Sequence, residues 1–124
     1  MKSHLALFSL CVTAPAAVSA QSPPATVPVV LISYRYAPSP LVLKAGKPVV
    51  LLFQNRAGKA HDFVAPEFFN AARIVSGDVR RGGIALAAGQ SKAVQLVPAA
   101  GTYPVHCSKF LHSAFGMKTQ VVVR

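Results

Sequence analysis

Apolar and polar positions alternate over short stretches of this chain, and the breaks fall on glycine and proline. An apolar, β-branched run from Val27 to Tyr36, with Arg35 near its end, reads as one strand stopped by Pro38-Ser39-Pro40. Leu41-Val42-Leu43 resumes the pattern, and Ala45-Gly46-Lys47-Pro48 reads as a tight turn. Val49 to Asn55 is apolar enough for a central strand, and a loop around Gly58 leads to a short strand from His61 to Val64, ended by Pro66. Glu67 to Val75 is the one helical segment, with Phe68, Phe69, Ala72 and Val75 at partial helical spacing. Ile84 to Leu86, Ala93 to Val97, Tyr103 to Cys107 and Lys118 to Val123 complete the strands. Ala88-Gly89-Gln90-Ser91 and Ala99-Ala100-Gly101 mark turns between them. Many short strands between Gly and Pro turns, with one short helical segment, predict an all-β fold, a Greek-key β-sandwich or small barrel.

The N-terminus departs from this pattern. Lys2 and His4 precede an apolar run from Leu5 to Val12, and small residues lead to Val18-Ser19-Ala20. Residues 1–20 are expected to be a signal peptide cleaved near Ala20, since the run is shorter than the ~20 apolar residues that span a bilayer. A lipid anchor on Cys11 competes, but Leu10 stands where such signals want a small residue. Residues 21–26 form a Pro-rich lead, and 27–124 are expected to form a single domain without internal repeats. The mature chain is expected in the periplasm or outside the cell, as a monomer with no transmembrane segment.

A formal net charge of +10 over 124 residues raises the question of nucleic acid. The cations are scattered singly, Arg80-Arg81 being the one adjacent pair, and no aromatics interleave with them on a strand. No nucleic-acid role is expected. Such a surface is soluble through self-repulsion, or steers the protein toward acidic partners or anionic membranes.

Of two cysteines, Cys11 leaves with the signal, so Cys107 stands alone in an oxidising compartment. It is buried and inert, joined to another chain, reactive, or a metal ligand. Its neighbours favour the last. The segment from Gly101-Thr-Tyr103 to Met117 contains Cys-x4-His-x4-Met, placing a thiolate at Cys107, an imidazole at His112 and a thioether at Met117 on one loop. His61 begins a strand far upstream, and in a sandwich the ends of distant strands meet at one pole. Two imidazoles and a thiolate in a plane with a weak axial thioether form the blue-copper arrangement. The soft thioether suits Cu(I), and a geometry between those the two oxidation states prefer needs little rearrangement on electron transfer.

On these residues the chain resembles the cupredoxins, the family of plastocyanin, azurin and pseudoazurin. The likeness runs from about Val27 to Arg124 and rests on the turn at Ala45-Gly46-Lys47-Pro48, on Asn55, on His61-Asp62-Phe63, and on Gly101 through Met117. It implies a cupredoxin-like sandwich holding one copper ion, Cu(II)/Cu(I), with His61 as first imidazole, Cys107 as thiolate, His112 as second imidazole and Met117 as axial ligand. Two departures stand out. The Cys-to-His gap is longer than in plastocyanin-like members and is closer to the type 1 site of multicopper oxidases. Asp62 stands where small blue copper proteins usually carry Asn, and the resemblance implies that it braces Ser108. A charged brace there should favour Cu(II).

His106 alternates out of the face shared by Tyr103, Val105 and Cys107 and reads as a surface histidine, or as an exit for electrons. Phe110, Leu111, Ala114 and Phe115 flank His112, either as loop packing or as an apolar docking patch. The expected function is a one-electron carrier, not an enzyme, meeting a cytochrome or copper oxidoreductase with an acidic surface. The alternative is a periplasmic copper-binding protein for tolerance or delivery. A zinc-binding or metal-free module in a larger assembly is the third reading, although a thioether is a poor zinc ligand.

Overall fold

The computed structural model describes residues 1–16, 22–109 and 115–124, so the expected cleavage site near Ala20 lies outside the described residues. Residues 1–16 are exposed and carry no regular secondary structure. Among the described residues no helix is long and apolar enough to cross a membrane.

Among the described residues there are ten strands and one helix: β1 (Ala25–Ile32), β2 (Arg35–Ala37), β3 (Leu41–Leu43), β4 (Val49–Asn55), β5 (His61–Val64), α1 (Pro66–Ala71), β6 (Arg73–Ser76), β7 (Gly83–Leu86), β8 (Ser91–Val97), β9 (Gly101–His106) and β10 (Lys118–Val123). They form two five-stranded sheets, ordered β2-β1-β4-β8-β6 and β3-β10-β9-β5-β7. β1 and β4 are parallel, as are β3 and β10, and the other ladders are antiparallel.

Alternation decides which side chains fill the space between the sheets. On β4, at the centre of its sheet, Val49, Leu51, Phe53 and Asn55 are buried and the residues between them are half-buried. Val29 and Leu31 of β1, Val94 and Leu96 of β8, and Val121 and Val123 of β10 join one continuous core. Phe63 of β5 is its aromatic hub, with ring centroids 5.0 Å from Phe53, 5.6 Å from Tyr36 and 6.1 Å from Phe69.

Two elements differ from the sequence expectation. The run from Val27 to Tyr36 is not one strand but a hairpin, β1 and β2, with Ile32 opposite Arg35 and a two-residue turn at Ser33-Tyr34. Tyr34 takes the left-handed conformation (φ 64°) that normally favours Gly or Asn, so the turn carries no residue that announces it. The helical segment is shorter than Glu67 to Val75. Pro66 opens it at the first helical position, Phe68 and Phe69 bury, and the backbone becomes extended at Ala72. Ile74 and Val75 are exposed, and Arg73–Ser76 instead pairs with β8 at a sheet edge. The partial helical spacing therefore mixed a helix face with an edge strand.

The crossover from α1 back toward β7 depends on Gly82. Its φ is +68°, and a Cβ there would lie 2.6 Å from Pro66 Cα. The approach lets Gly82 O accept the Ala65 N–H at 2.9 Å, tying the helix start to the neighbouring loop.

Candidate metal centre

Three elements converge at one pole. β4 ends at Asn55, whose buried side-chain amide organises the loop to β5. Its Nδ2 donates to Lys59 O (2.8 Å), Leu86 O (3.2 Å) and Ala87 O (3.2 Å), and its Oδ1 accepts the Ala57 N–H (3.0 Å). The loop is thus fixed just before His61, which pairs opposite Leu86 at the start of β5. β9 arrives antiparallel to β10 and delivers Cys107 one residue past its end. The Cys107 N–H donates to Met117 O at 3.1 Å, and His106 pairs with Lys118. Cys107 and Met117 therefore stand together at the neck of the loop between the last two strands.

His61, Cys107 and Met117 are all buried. Cys107 Sγ lies 3.9 Å from His61 Nδ1, although 46 positions separate the two residues. Burial pushes the Cys107 thiol above its ordinary range, and backbone hydrogen bonds from Asp62 and Lys109 oppose that rise. His112 and its neighbours Phe110, Leu111 and Ala114 lie outside the described residues.

Asp62 is the buried carboxylate of this pole. Oδ1 accepts the Ser108 N–H at 2.7 Å, and Oδ2 accepts the Ser108 hydroxyl. Its backbone carbonyl accepts the Tyr36 hydroxyl at 2.7 Å, a tie that crosses from β2 in one sheet to β5 in the other. Asp62 and Ser108 also form part of the wall of a cleft lined by Asp78, Arg80, Arg81 and Lys92. Within it Arg80 is taken up by Asp78, Nε to Oδ1 at 2.9 Å.

Phe115, expected in a docking patch, is exposed and packs edge-on against Tyr34, ring centroids 5.3 Å apart. Tyr34 reaches it because the Ser33-Tyr34 turn lies at the same pole: Leu31 pairs with Asn55, and Arg56 N–H donates to Leu31 O. Exposed cations of this pole include Arg35, Arg56, Lys59 and Lys109. His106 is exposed on the face opposite Cys107.

Sequence reasoning passed over Tyr34 and Tyr36. Both sit in what reads as a continuous strand, and their roles follow from the hairpin.

The donors at this pole can be compared with what a metal needs. Thiolate, imidazole and thioether are soft or intermediate donors, the set that suits copper. Bonds of about 2.0–2.1 Å to nitrogen and about 2.3 Å to sulfur, the lengths seen for zinc, separate two donors at a trigonal angle by about 3.8 Å. The 3.9 Å between His61 Nδ1 and Cys107 Sγ fits an ion between them.

Comparison with known proteins agrees with the fold. The family model described as the cupredoxin-like domain matches residues 3–123. Among solved structures, auracyanin B is 26% identical, with a TM-score of 0.57 over 88% of this chain and 95% of that one. Auracyanin A from Chloroflexus aurantiacus, titled a "blue" copper protein, is 18% identical, with a TM-score of 0.58 over 82% of this chain and 100% of its own. A multicopper oxidase from Campylobacter jejuni superposes with a TM-score of 0.62 at 11% identity, over 86% of this chain and 31% of the oxidase. No curated protein sequence matches the chain.

Proposed function

The chain belongs to the cupredoxin-like domain family, and from that premise we propose that it is a type 1 copper protein that carries single electrons. One copper ion is held by His61, Cys107, His112 and Met117. The observation that carries this reading is the buried approach of Cys107 Sγ to His61 Nδ1 at 3.9 Å. The likeness to auracyanins, one of them titled a "blue" copper protein, supports it.

The bound ion supplies a one-electron Cu(II)/Cu(I) couple. The protein's share is to fix the donors beforehand. Asn55 holds the loop before His61, the Cys107 N–H to Met117 O bond closes the neck, and Asp62 clasps Ser108. Because burial keeps the proton on Cys107 Sγ, that proton has to leave before the sulfur acts as a ligand. A preset donor geometry means little rearrangement when the electron arrives or departs.

Residues 1–20 are a signal peptide removed near Ala20, residues 21–26 a Pro-rich lead and 27–124 the copper-binding domain. The protein works in the periplasm or outside the cell. Its partner is an acidic redox protein, a cytochrome or a copper oxidoreductase. The exposed Arg35, Arg56, Lys59 and Lys109, at the same pole as the Tyr34–Phe115 pair, support that choice. Such encounters use small interfaces, under about 1,200 Å², and complementary charge speeds them.

Titrating the purified protein with Cu(II) tests the reading. The expected result is an intense blue or green colour saturating at one equivalent, with a narrow copper hyperfine splitting and reversible voltammetry. C107S should abolish the colour. A colourless Cu(II) form of the wild type overturns the proposal.

A further inference from the structure

A buried carboxylate in a chain this basic demands a physical reason. Three acidic residues face thirteen Lys and Arg, and one of the three, Asp62, is only 7% exposed. Taking a carboxylate out of water is unfavourable unless its oxygens are satisfied. Ser108 supplies both donors, N–H to Oδ1 and hydroxyl to Oδ2. Both oxygens accept, as those of an ionised carboxylate do.

The position of this anion matters more than its bonds. Asp62 follows His61 directly, and Ser108 follows Cys107 directly. The clasp therefore joins the strand that starts at one donor to the segment that leaves the other. Tyr36 holds the Asp62 carbonyl from the opposite sheet at 2.7 Å, so the residue is gripped at backbone and side chain alike. A neutral amide at position 62 would accept the same Ser108 N–H. What the carboxylate adds is a fixed negative charge next to both donors.

On this basis, and resting on the copper reading above, we infer that Asp62 is the positioning residue that biases the site toward its more highly charged oxidation state, Cu(II). At an effective dielectric of about 20, a unit charge several ångströms away shifts a one-electron equilibrium by about ten- to a hundredfold. The cleft beyond the carboxylate is lined by Arg81 and Lys92, and by Arg80 with its partner Asp78. Those cations oppose the effect and place the expectation toward the lower end.

The test compares wild type, D62N and S108A, each loaded with Cu(II), by reduction potential and by thermal melting of the metal-free form. D62N removes the charge and keeps the shape. It should raise the ratio of Cu(I) to Cu(II) affinity about tenfold, about 59 mV for a one-electron couple, with little change in melting. S108A takes a donor from the carboxylate, leaves its charge less neutralised, and should move the ratio the opposite way.

A role limited to holding the backbone in place would shift both variants in one direction, or shift neither. Either result, with the colour intact, overturns the inference. An upward shift in S108A overturns it even where D62N does not fold. A wild type that binds Cu(II) without colour fails earlier and removes the copper reading itself, so the two failures are distinguishable.

Discussion

Asn55→Ala tests how the loop before His61 is held. The Asn55 side chain is 2% exposed and makes four contacts, three from Nδ2 to carbonyl oxygens and one to Oδ1 from the Ala57 N–H. Two amide hydrogens serve three carbonyls, so three full hydrogen bonds is the fair count. Each contributes about 1 kcal/mol net, and the partners left behind in a partly buried loop add their own desolvation cost. The expected loss is about 3–4 kcal/mol, a large share of the roughly 5–15 kcal/mol that holds a domain together. With a urea slope of about 1.5 kcal/mol/M, the midpoint falls by about 2–3 M. The chain has no tryptophan, so the assay is far-UV circular dichroism of the metal-free protein across a urea series. Asn55→Asp sharpens the test. It is isosteric but offers no donor, and it turns an anion toward Lys59 O, Leu86 O and Ala87 O. It should cost at least as much as alanine despite leaving no cavity. A loss below about 1 kcal/mol in N55A, or an N55D clearly milder than N55A, would refute the claim that the amide organises this pole.

Two further substitutions probe the core around the site. Tyr36→Phe removes the bond to Asp62 O and should cost about 1 kcal/mol at neutral pH. Burial first, then the nearby Cys107 and Asp62, holds the Tyr36 hydroxyl far above the ordinary tyrosine range. The unfolded chain ionises this phenol near pH 10 while the folded chain keeps its proton, so above about pH 10 this residue costs the wild type about 1.4 kcal/mol of stability per pH unit. Y36F lacks that slope, and the gap between the two proteins should close between urea midpoints taken at pH 9 and pH 11. An unchanged gap counts against the buried hydroxyl. Phe63→Ala empties the aromatic hub between Phe53, Tyr36 and Phe69 and should cost about 3–5 kcal/mol, and Phe63→Leu clearly less. Equal losses for the two would show that ring packing contributes little there.

What the sequence displayed, and what it hid, follows from the range of the forces involved. β4, β5 and β10 have the limits their apolar runs and flanking turns predict, because alternation and turn chemistry are local signals. The hairpin at Ser33-Tyr34 was invisible for the same reason: its turn residues carry no local preference for the conformation they adopt. β6 was hidden because an edge strand with every residue exposed has no apolar face to show. At the metal centre, alternation alone puts His106 outside and Cys107 inside. The meeting of His61 with Cys107 is different. It spans two strands and 46 positions, and its expectation came from the sandwich architecture and then a family resemblance, not from any period in the chain. The grip of Tyr36 on Asp62 had no such precedent and appears only once both sheets are in place.

The parallel pairing of β3 with β10 has a consequence for the order of events in the life of the molecule. Leu41 lies opposite Val121, so β3 waits for β10, far downstream, before the two can pair. The neck that sets Cys107 against Met117 depends on that same downstream strand. Contacts this distant in sequence place folding toward the slow, millisecond-to-second regime, and none of the donor pairs exists on a nascent chain. A zinc finger gathers its ion in order to fold. On the copper reading proposed above, the strand pairing that brings the donors together needs no ion, so metal shortage should leave a folded, empty protein ready to be filled, and not a misfolded one to be cleared.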